Sequence, residues 1–342
     1  EYNWTLVTLP PRYFAWRVRG NSLSWAFGEQ RTQLDADFDL IIATSMVDLS
    51  ALRGFCTKLA NVPTLVYFHE NQFAYPLSGR EVSPLEPQLL SIYTALCADK
   101  IVFNSAFNQQ TFLAGARRLL NKMPDQLPKG LIERLEQRIS ILHVPIDLEP
   151  ERPIRPQWHE DRPVRLLWNA RWEFDKGPDR LLNLLNCLRD RKLEFELALL
   201  GSRFRVVPEP IAEIERLHKS SLVQFGYVES KAEYNHWLAW SDLVISTALH
   251  EFQGIGVLEA VAAGAVPLLP NRQVYSEIFD SEFLYQSDEQ DPLREAQAAA
   301  AKLMELIQGL NTNKLESPNV ERYGRKSLIP QYRTLIEQLT AV

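Results

Sequence analysis

Short hydrophobic runs alternate with longer segments of helical periodicity along almost the whole chain. The runs are rich in Val, Ile, Leu and Phe, which favour strands, and the intervening segments repeat apolar residues at helical spacing. Parallel strands need a crossover that is usually a helix, so the alternation predicts parallel α/β units. The predicted strands are 38–45, 64–69, 100–105, 139–145, 165–171, 195–201, 222–228, 242–247 and 265–270. The predicted helices lie near 47–59, 86–98, 106–120, 178–190, 209–219, 231–240, 255–263, 292–308 and 320–339.

One stretch interrupts this alternation. Residues 148–163, LEPERPIRPQWHEDRP, carry four prolines and mixed charge without any period, which is typical of a linker. A chain of 342 residues is long enough for two domains of ordinary size. We therefore expect two Rossmann-like, doubly wound α/β domains facing across a cleft, where ligands of such sheets bind. The predicted parts are a first domain at 1–150, a linker at 151–163, a second domain at 164–318, and a C-terminal helix at 319–342 that crosses back to the first domain.

The balance of charge limits the classes of partner. A net charge of −6 argues against a surface coated with positive potential for nucleic acid, although it permits a local basic patch. Residues 116–138 contain six Lys/Arg against three Asp/Glu, and Arg12, Arg17 and Arg19 alternate with aromatic residues. Such runs are most often solvated faces, so alone they do not establish an RNA contact.

The apolar stretches and the cysteines bear on the cellular compartment in which we expect the protein. The longest apolar stretches, such as 257–270, are interrupted by Glu259 and by prolines, so we predict no membrane span. The three cysteines lie far apart, without a CxxC pair or neighbouring histidines. We expect reduced thiols and a cytoplasmic protein without stable membrane association. The chain begins at Glu1 without a methionine, so we expect that an upstream segment has been removed.

Neither common phosphate-binding fingerprint is present, which weakens a dehydrogenase or kinase interpretation: the sequence has no GxGxxG after a strand and no GxxxxGK[ST] loop. Instead, NARWEFDKGPDR places Arg171 at a strand end and Lys176 before Gly177 and Pro178 at a helix start. Two cations at this spacing can bind a diphosphate. A solvated basic loop would have the same composition, so this segment alone leaves both interpretations open.

The segment HEFQGIGVLEAVAAG, residues 250–264, favours the phosphate interpretation. It follows a buried strand and opens a helix that Gly264 ends as the C′ residue. We expect free backbone N–H groups around Gly254, Ile255 and Gly256, where the helix dipole favours an anion. Glu251 would reach sugar hydroxyls beyond the phosphate, and Glu259 would accept from a ribose. The two acids would then bracket the two sugars of a nucleotide-sugar.

In the first half, polar side chains follow the predicted strand TLVYF. The segment HENQ, comprising His69, Glu70, Asn71 and Gln72, has four consecutive hydrogen-bonding side chains where the strand enters the cleft. A single histidine at a strand end is more often structural, but the cluster favours a site. Asp48 and Asn104 are weaker candidates for the same wall.

The two glutamates with seven residues between them, preceded by Arg171 and Lys176, resemble the donor site of retaining glycosyltransferases of family 4, which have the GT-B fold. The resemblance covers nearly the whole chain. It implies that Glu251 contacts the transferred hexose, that Arg171 and Lys176 contact the diphosphate, and that Glu259 contacts the ribose. It also implies that Gly226 and Tyr227 lie near the base.

Segments of the first half are similar to the tRNA-queuosine α-mannosyltransferases: LPPRYFAWRVRGNSLSWAF (9–27), TSMVDLSALRG (44–54), YFHENQFAYP (67–76) and FNSAFN (103–108). That family normally begins with a strand and a Gly-Ser-His-type loop, which this sequence lacks before LPPR. The resemblance implies mannose transfer from GDP-mannose to queuosine in tRNA with retention, without a metal or other cofactor. His69 would hold the sugar or the acceptor, Glu70 would orient groups, and Arg12, Arg17 and Arg19 would contact the RNA.

Several alternatives stay open on the residues alone. A GT-B glycosyltransferase could use another nucleotide-sugar donor and a glycan, lipid or small-molecule acceptor. An epimerase or hydrolase would share the donor site but lack an acceptor groove. A non-catalytic nucleotide-sugar or RNA-binding module would bind the donor without turnover.

Overall fold

The computed structural model describes residues 2–10, 13–74, 85–123, 127–148, 162–202, 207–312 and 314–341. The chain divides into two compact units. Unit 1 comprises Glu1–His143 and Ile329–Val342, and unit 2 comprises Val144–Leu328. Of the predicted linker at 151–163, only Arg162 and Pro163 lie within the described residues, and the predicted domain boundaries stay predictions.

Unit 1 contains a four-stranded parallel sheet in the order β1-β2-β3-β4. Its strands are β1 (Ile41–Thr44), β2 (Thr64–Phe68), β3 (Lys100–Phe103) and β4 (Ile139–Ile141). Its helices are α1 (Phe14–Phe27), α2 (Leu49–Phe55), α3 (Leu85–Cys97), α4 (Ala106–Leu120) and α5 (Leu131–Glu136). The core is aromatic at the sheet: Phe68, Phe103 and Phe112 are fully buried and lie in mutual ring contact.

The last helix, α12 (Arg325–Thr340), contributes to unit 1 from Ile329 onward. The Tyr332 hydroxyl donates to the His143 carbonyl at 2.9 Å and lies 3.2 Å from the Tyr67 hydroxyl. Tyr67 in turn donates to the Leu142 carbonyl at 2.5 Å. The end of the chain is therefore hydrogen-bonded to the carboxyl ends of β2 and β4.

Unit 2 contains a six-stranded parallel sheet in the order β10-β9-β8-β5-β6-β7. Its strands are β5 (Val164–Asn169), β6 (Phe195–Leu200), β7 (Leu222–Gly226), β8 (Leu243–Ile245), β9 (Val266–Pro270) and β10 (Leu284–Tyr285). Its helices are α6 (Pro178–Asp190), α7 (Glu209–Leu217), α8 (Lys231–Trp240), α9 (Ile255–Ala262), α10 (Tyr275–Ile278) and α11 (Pro292–Asn311). Leucines at 181, 184, 185 and 188 place one face of α6 in the core, at the spacing of an amphipathic helix.

Every predicted strand is present. The main differences are elements that the sequence pattern did not predict: α1, α5, α10 and β10. The segment interpreted as a basic and aromatic run belongs to the helix α1. The residue before this helix, Tyr13, has a left-handed backbone conformation, and its side chain does not cap the helix. Within the described ranges, no helix is long and apolar enough to span a membrane.

A buried ion pair ties the first strand of unit 2 to β8. Asp242, at the start of β8, accepts two hydrogen bonds of 2.8 Å from the Arg162 guanidinium. It also accepts from the backbone N–H of Arg165 at 2.9 Å. Because Asp242 is only 8% exposed, loss of its carboxylate would remove the counter-charge of the Arg162 guanidinium and the acceptor of a backbone N–H.

We expect Asp242→Ala to lower the free energy of unfolding by about 3 kcal/mol, because the guanidinium of Arg162 would lose its counter-charge in a mostly buried position. Urea unfolding followed by circular dichroism measures this change. Asp190→Ala is the matched control, because Asp190 is exposed at the end of α6, and we expect a change within about 0.5 kcal/mol. Equal midpoints for the two variants would contradict the assigned role of Asp242.

Candidate active site

In unit 1, buried amides fix the loop that follows β2. The Asn104 side chain donates to the His69 carbonyl at 2.9 Å. The Asn108 side chain donates to the Phe68 carbonyl at 2.9 Å and to Asn104 Oδ1 at 2.8 Å. Both asparagines lie just beyond β3, which pairs with β2, so the parallel sheet itself brings them to the loop. Asn104 therefore supports the predicted site through its amide.

Asn71 has a structural task that the sequence did not indicate. Its amide nitrogen donates to Asn108 and Thr111, and its Oδ1 accepts from the backbone N–H groups of Phe73 and Ala74. The side chain is 1% exposed. Each of its polar atoms has partners inside unit 1, so Asn71 shapes the loop, and its predicted place on the acceptor side stays a prediction.

The other HENQ residues are less enclosed. His69 is exposed, and its ring packs on one side against Tyr67 with centroids 4.5 Å apart. Loss of water on that side lowers the pKa of the imidazole below its ordinary value. Glu70 and Gln72 are half-buried. Their carbonyls accept from Ser45 at 3.2 Å and from Gln88 at 3.2 Å.

Asp48 is the N-cap of α2 and is 1% exposed. Its carboxylate accepts from the Ala51 N–H at 3.1 Å and from the Arg19 guanidinium at 2.7 Å. Arg19 also lies 3.1 Å from Glu86. Asp48 therefore caps α2, and Arg19 pairs with two carboxylates; the predicted place of both residues on the acceptor side stays a prediction.

The other residues that were predicted to contact RNA differ in how exposed they are to solvent. Arg12 lies outside the described residues, and Arg17 is half-buried. Tyr13 and Trp16 are more than 60% exposed. Between 116 and 138, the side chain of Arg138 donates to the carbonyls of Leu96 and Ala98, so it holds β3. The exposed basic residues of that segment are Arg117, Arg118, Lys122, Lys129 and Arg134.

His143, which the sequence analysis did not single out, lies beyond β4 in unit 1. Its Nδ1 lies 2.6 Å from the Asn104 carbonyl. A carbonyl can only accept, so Nδ1 carries the proton in this contact. Two imidazoles, at 69 and 143, thus follow strands β2 and β4, and Asn104 contacts the backbone or ring of both.

In unit 2, Lys176 and Glu251 form a buried ion pair, with Nζ 3.2 Å from Oε2. The ammonium also donates to the His250 carbonyl at 2.9 Å and lies 3.0 Å from Asp175. Burial alone would lower the pKa of Lys176, but the two carboxylates outweigh it and raise that pKa. Arg171, which we predicted to act with Lys176, is instead exposed and pairs with Glu173 at 3.2 Å.

The carboxylate of Glu251 turns back onto its own loop. It accepts from the backbone N–H groups of Phe252 at 3.0 Å and Gln253 at 3.4 Å. Burial would raise the pKa of Glu251, but Lys176 and these amides outweigh it and lower the pKa below its ordinary value. The binding of a diphosphate by Gly254, Ile255 and Gly256 stays a prediction.

The helix after this loop starts as predicted. Gly254 has a φ of 73°, a conformation that favours glycine, and Ile255 is the first residue of α9. Gly256 packs against Asn169: a Cβ at this position would lie 2.9 Å from its amide nitrogen. Gly264 ends the helix with a φ of 99°, as the pattern predicted for a C′ residue.

The side chains of two glutamines, Gln273 and the loop residue Gln253, bind backbone groups and hold the loop in place. Gln273 accepts from the Glu251 N–H at 2.9 Å and donates to the Leu249 carbonyl at 2.7 Å. Gln253 accepts from the N–H of Val144 and donates to its carbonyl, both at 2.8 Å. Sequence reasoning missed both glutamines, because amide side chains that bind backbone leave no periodic signal.

Glu259 lies on α9 beside α8. Its Oε2 accepts from the Tyr234 hydroxyl at 2.6 Å, and its Oε1 lies 3.7 Å from the Lys231 ammonium. Gly226 ends β7 with a φ of 121° and has open space at its Cβ position. Tyr227 follows it and is 67% exposed.

His250 is a further buried group in this region that was not predicted. Its ring packs edge-on against Phe252, with centroids 4.4 Å apart. Burial, with a contribution from Lys176, lowers the pKa of His250 to about 4. Its imidazole is therefore neutral at pH 7.

No group of three or more His, Cys, Asp or Glu side chains is arranged to hold a metal ion in the parts of the chain that the structure describes. The three cysteines, Cys56, Cys97 and Cys187, are free thiols. The absence of metal in the predicted mechanism stays a prediction.

Comparison with known proteins gives two kinds of similarity. Residues 1–146 match the family described as tRNA-queuosine alpha-mannosyltransferase N-terminal. A tRNA-queuosine alpha-mannosyltransferase of Drosophila melanogaster is 33% identical over 337 residues, which cover 96% of this chain and 87% of that protein.

Solved structures are similar in fold at low identity. Sucrose-phosphate synthase from Thermosynechococcus elongatus aligns with a TM-score of 0.69 at 14% identity, over 93% of this chain and 78% of that one. The pneumococcal O-GlcNAc transferase GtfA, solved with UDP and GlcNAc, aligns with a TM-score of 0.62 at 14% identity over 90% of this chain. The chain spans 58% of the length of GtfA.

These likenesses confirm the predicted fold class, GT-B. Identity to the Drosophila protein extends over nearly all of both chains, and the matched N-terminal region contains the HENQ loop and its asparagines. The chain therefore belongs to the tRNA-queuosine alpha-mannosyltransferase family.

Proposed function

We propose that this protein transfers mannose from GDP-mannose to queuosine in tRNA, with retention of the anomeric configuration. The observation that carries the proposal is the 33% identity over 96% of the chain to a protein named for that transfer. The proposed partners are a nucleotide-sugar and a queuosine-containing tRNA, and the proposed location is the cytoplasm. We propose no resident cofactor.

Unit 2 supplies the groups suited to the donor. A diphosphate leaving group gains negative charge in the transition state, and a cation in a site of low dielectric stabilises that charge more than an exposed one. Lys176 is such a cation, because its ammonium is mostly buried. Glu251 shares its surroundings, and the α9 amino terminus adds the positive end of a helix dipole.

The chemistry is a single exchange at the anomeric carbon. The bond from that carbon to the diphosphate oxygen breaks, and the acceptor hydroxyl oxygen bonds to the same face. The acceptor proton passes to the leaving diphosphate oxygen, so no protein nucleophile is required. Glu251 would bind hydroxyls of the hexose, and Lys176 would offset the charge of the departing GDP.

Unit 1 supplies groups suited to the acceptor. Its β2 end presents His69, whose carbonyl is held by Asn104 and whose ring is held by Tyr67. Single-stranded RNA is recognised by stacking splayed bases on aromatic side chains, and Tyr13 and Trp16 are exposed in the same unit as this loop. The exposed basic residues at 117–134 would contact phosphates, which predicts salt-sensitive binding.

The direct test incubates the protein with GDP-[14C]mannose and tRNA pools that contain or lack queuosine, at low salt. We expect label only in the queuosine-containing pool. UDP-[14C]GlcNAc and UDP-[14C]glucose in parallel reactions test other donors. Label from a UDP-sugar, or label in both tRNA pools, would contradict the proposed donor or acceptor.

We expect Glu251→Gln to reduce kcat for mannose transfer about 100-fold, because it removes the negative charge that pairs with Lys176 and a strong hydrogen-bond acceptor for the sugar. Steady-state kinetics with labelled donor measure the change. Glu282→Gln, on an exposed surface of unit 2, is the control and should keep wild-type rates. A Glu251→Gln variant with wild-type kcat would exclude Glu251 from the reaction.

The lowered pKa of His69 predicts a pH dependence. The imidazole is neutral above an apparent pKa that lies below the ordinary value of 6.5, so transfer should stay constant from pH 8 to pH 6.5. Below that pH, protonation removes the acceptor lone pair and the rate should fall. His69→Gln should lack this fall, whereas the control His236→Gln, in an exposed position, should retain it. An identical profile in His69→Gln would show that another group titrates.

A further inference from the structure

The Tyr234 hydroxyl lies at the centre of a hydrogen-bonded chain in unit 2. It accepts from the Asn169 amide at 2.7 Å and donates to Glu259 Oε2 at 2.6 Å. The three residues come from different elements, since Asn169 ends β5, Tyr234 lies on α8 and Glu259 lies on α9. The carboxylate of Glu259 is thus fixed by Tyr234, which lies outside both segments that the sequence analysis singled out in unit 2, residues 169–180 and 250–264.

The direction of this chain is unambiguous. A carboxylate can only accept, so the Tyr234 proton points at Glu259, and the Asn169 amide fills the acceptor position of the hydroxyl. Burial, followed by the charge of Glu259, raises the pKa of Tyr234 above its ordinary value, so the phenol stays protonated. Tyr234 is therefore a permanent donor at neutral pH.

The two oxygens of Glu259 have different surroundings. Oε2 is taken by Tyr234, whereas Oε1 lies 3.7 Å from the ammonium of Lys231, whose side chain is 56% exposed. The same ammonium lies 5.0 Å from the centre of the Tyr234 ring. Tyr234 therefore holds the carboxylate by one oxygen, and the other oxygen lies beside the partly exposed side chain of Lys231.

We infer that Tyr234 is a positioning residue for the donor nucleotide, which orients Glu259 so that its second oxygen accepts a ribose hydroxyl. The inference rests on the proposed function and on the prediction from the sequence that Glu259 contacts the donor ribose. It adds a source of discrimination: an oriented carboxylate distinguishes a ribose from a sugar without those hydroxyls better than a rotating one. Asn169 completes the arrangement by holding Tyr234 and packing against Gly256.

The test measures binding of GDP and of 2′,3′-dideoxy-GDP by titration calorimetry with the full chain. The dideoxy compound cannot use Glu259 through a ribose hydroxyl, so its affinity reports on the rest of the site. We expect the wild type to prefer GDP about tenfold or more, as for one hydrogen bond to a charged group. In Tyr234→Phe, we expect this preference to fall at least about threefold while dideoxy-GDP binds as before.

Tyr323→Phe is the matched control, because Tyr323 is a buried tyrosine of unit 2 that contacts Arg322, and it should keep the wild-type preference. An equal loss of affinity for both nucleotides in Tyr234→Phe would show a general structural role and overturn the inference. An unchanged preference in Tyr234→Phe, or no preference in the wild type, would overturn it as well. Failure of the proposed function would appear differently, as absent mannose transfer with the Tyr234-dependent preference intact.

Discussion

A buried ammonium organises the predicted donor site in unit 2. Lys176 lies among Asp175, Glu251 and the His250 carbonyl, and a cation removed from water is stable only when such groups surround it. The same contacts join two loops far apart in sequence. The Asp175 carbonyl accepts from the N–H groups of Leu249 and His250, so the loop after β5 holds the loop after β8. The position of Glu251, and with it the start of α9, depends on this junction.

The ion pair also explains why a carboxylate lies at a helix start that was expected to bind an anion. Glu251 accepts from the backbone N–H groups of Phe252 and Gln253, which directly precede the residues that the sequence suggested for a phosphate, Gly254, Ile255 and Gly256. A negative group satisfies those donors and the adjacent lysine in the protein itself. These fixed partners hold the carboxylate of Glu251 in place, so the loop and its dipoles are ordered within the protein itself.

Much of the fold could be predicted because local signals agreed with periodicity. Helices at 106–120, 178–190 and 231–240 begin where predicted because Ser105 and Ser230 cap their helices and Pro178 lies in a first turn. By contrast, α1 has no side-chain cap, and β10 is only two residues long. The sequence predicted which strands and helices carry the site but not which side chains are hydrogen-bonded to each other. No periodic pattern shows that the Asn71 amide is fully hydrogen-bonded or that Tyr234 donates to Glu259.

The hydrogen bonds of Tyr332 have a consequence for how the chain is made. They join α12 to Tyr67 and His143, and the pair of tyrosine hydroxyls is separated by 265 residues. All of unit 2, Val144–Leu328, leaves the ribosome before Tyr332 does. Domains generally fold as they are synthesised, so unit 2 can become native while the strand ends that carry His69 and His143 still lack their last helix. Unit 1, which begins first in the sequence, is therefore completed after unit 2.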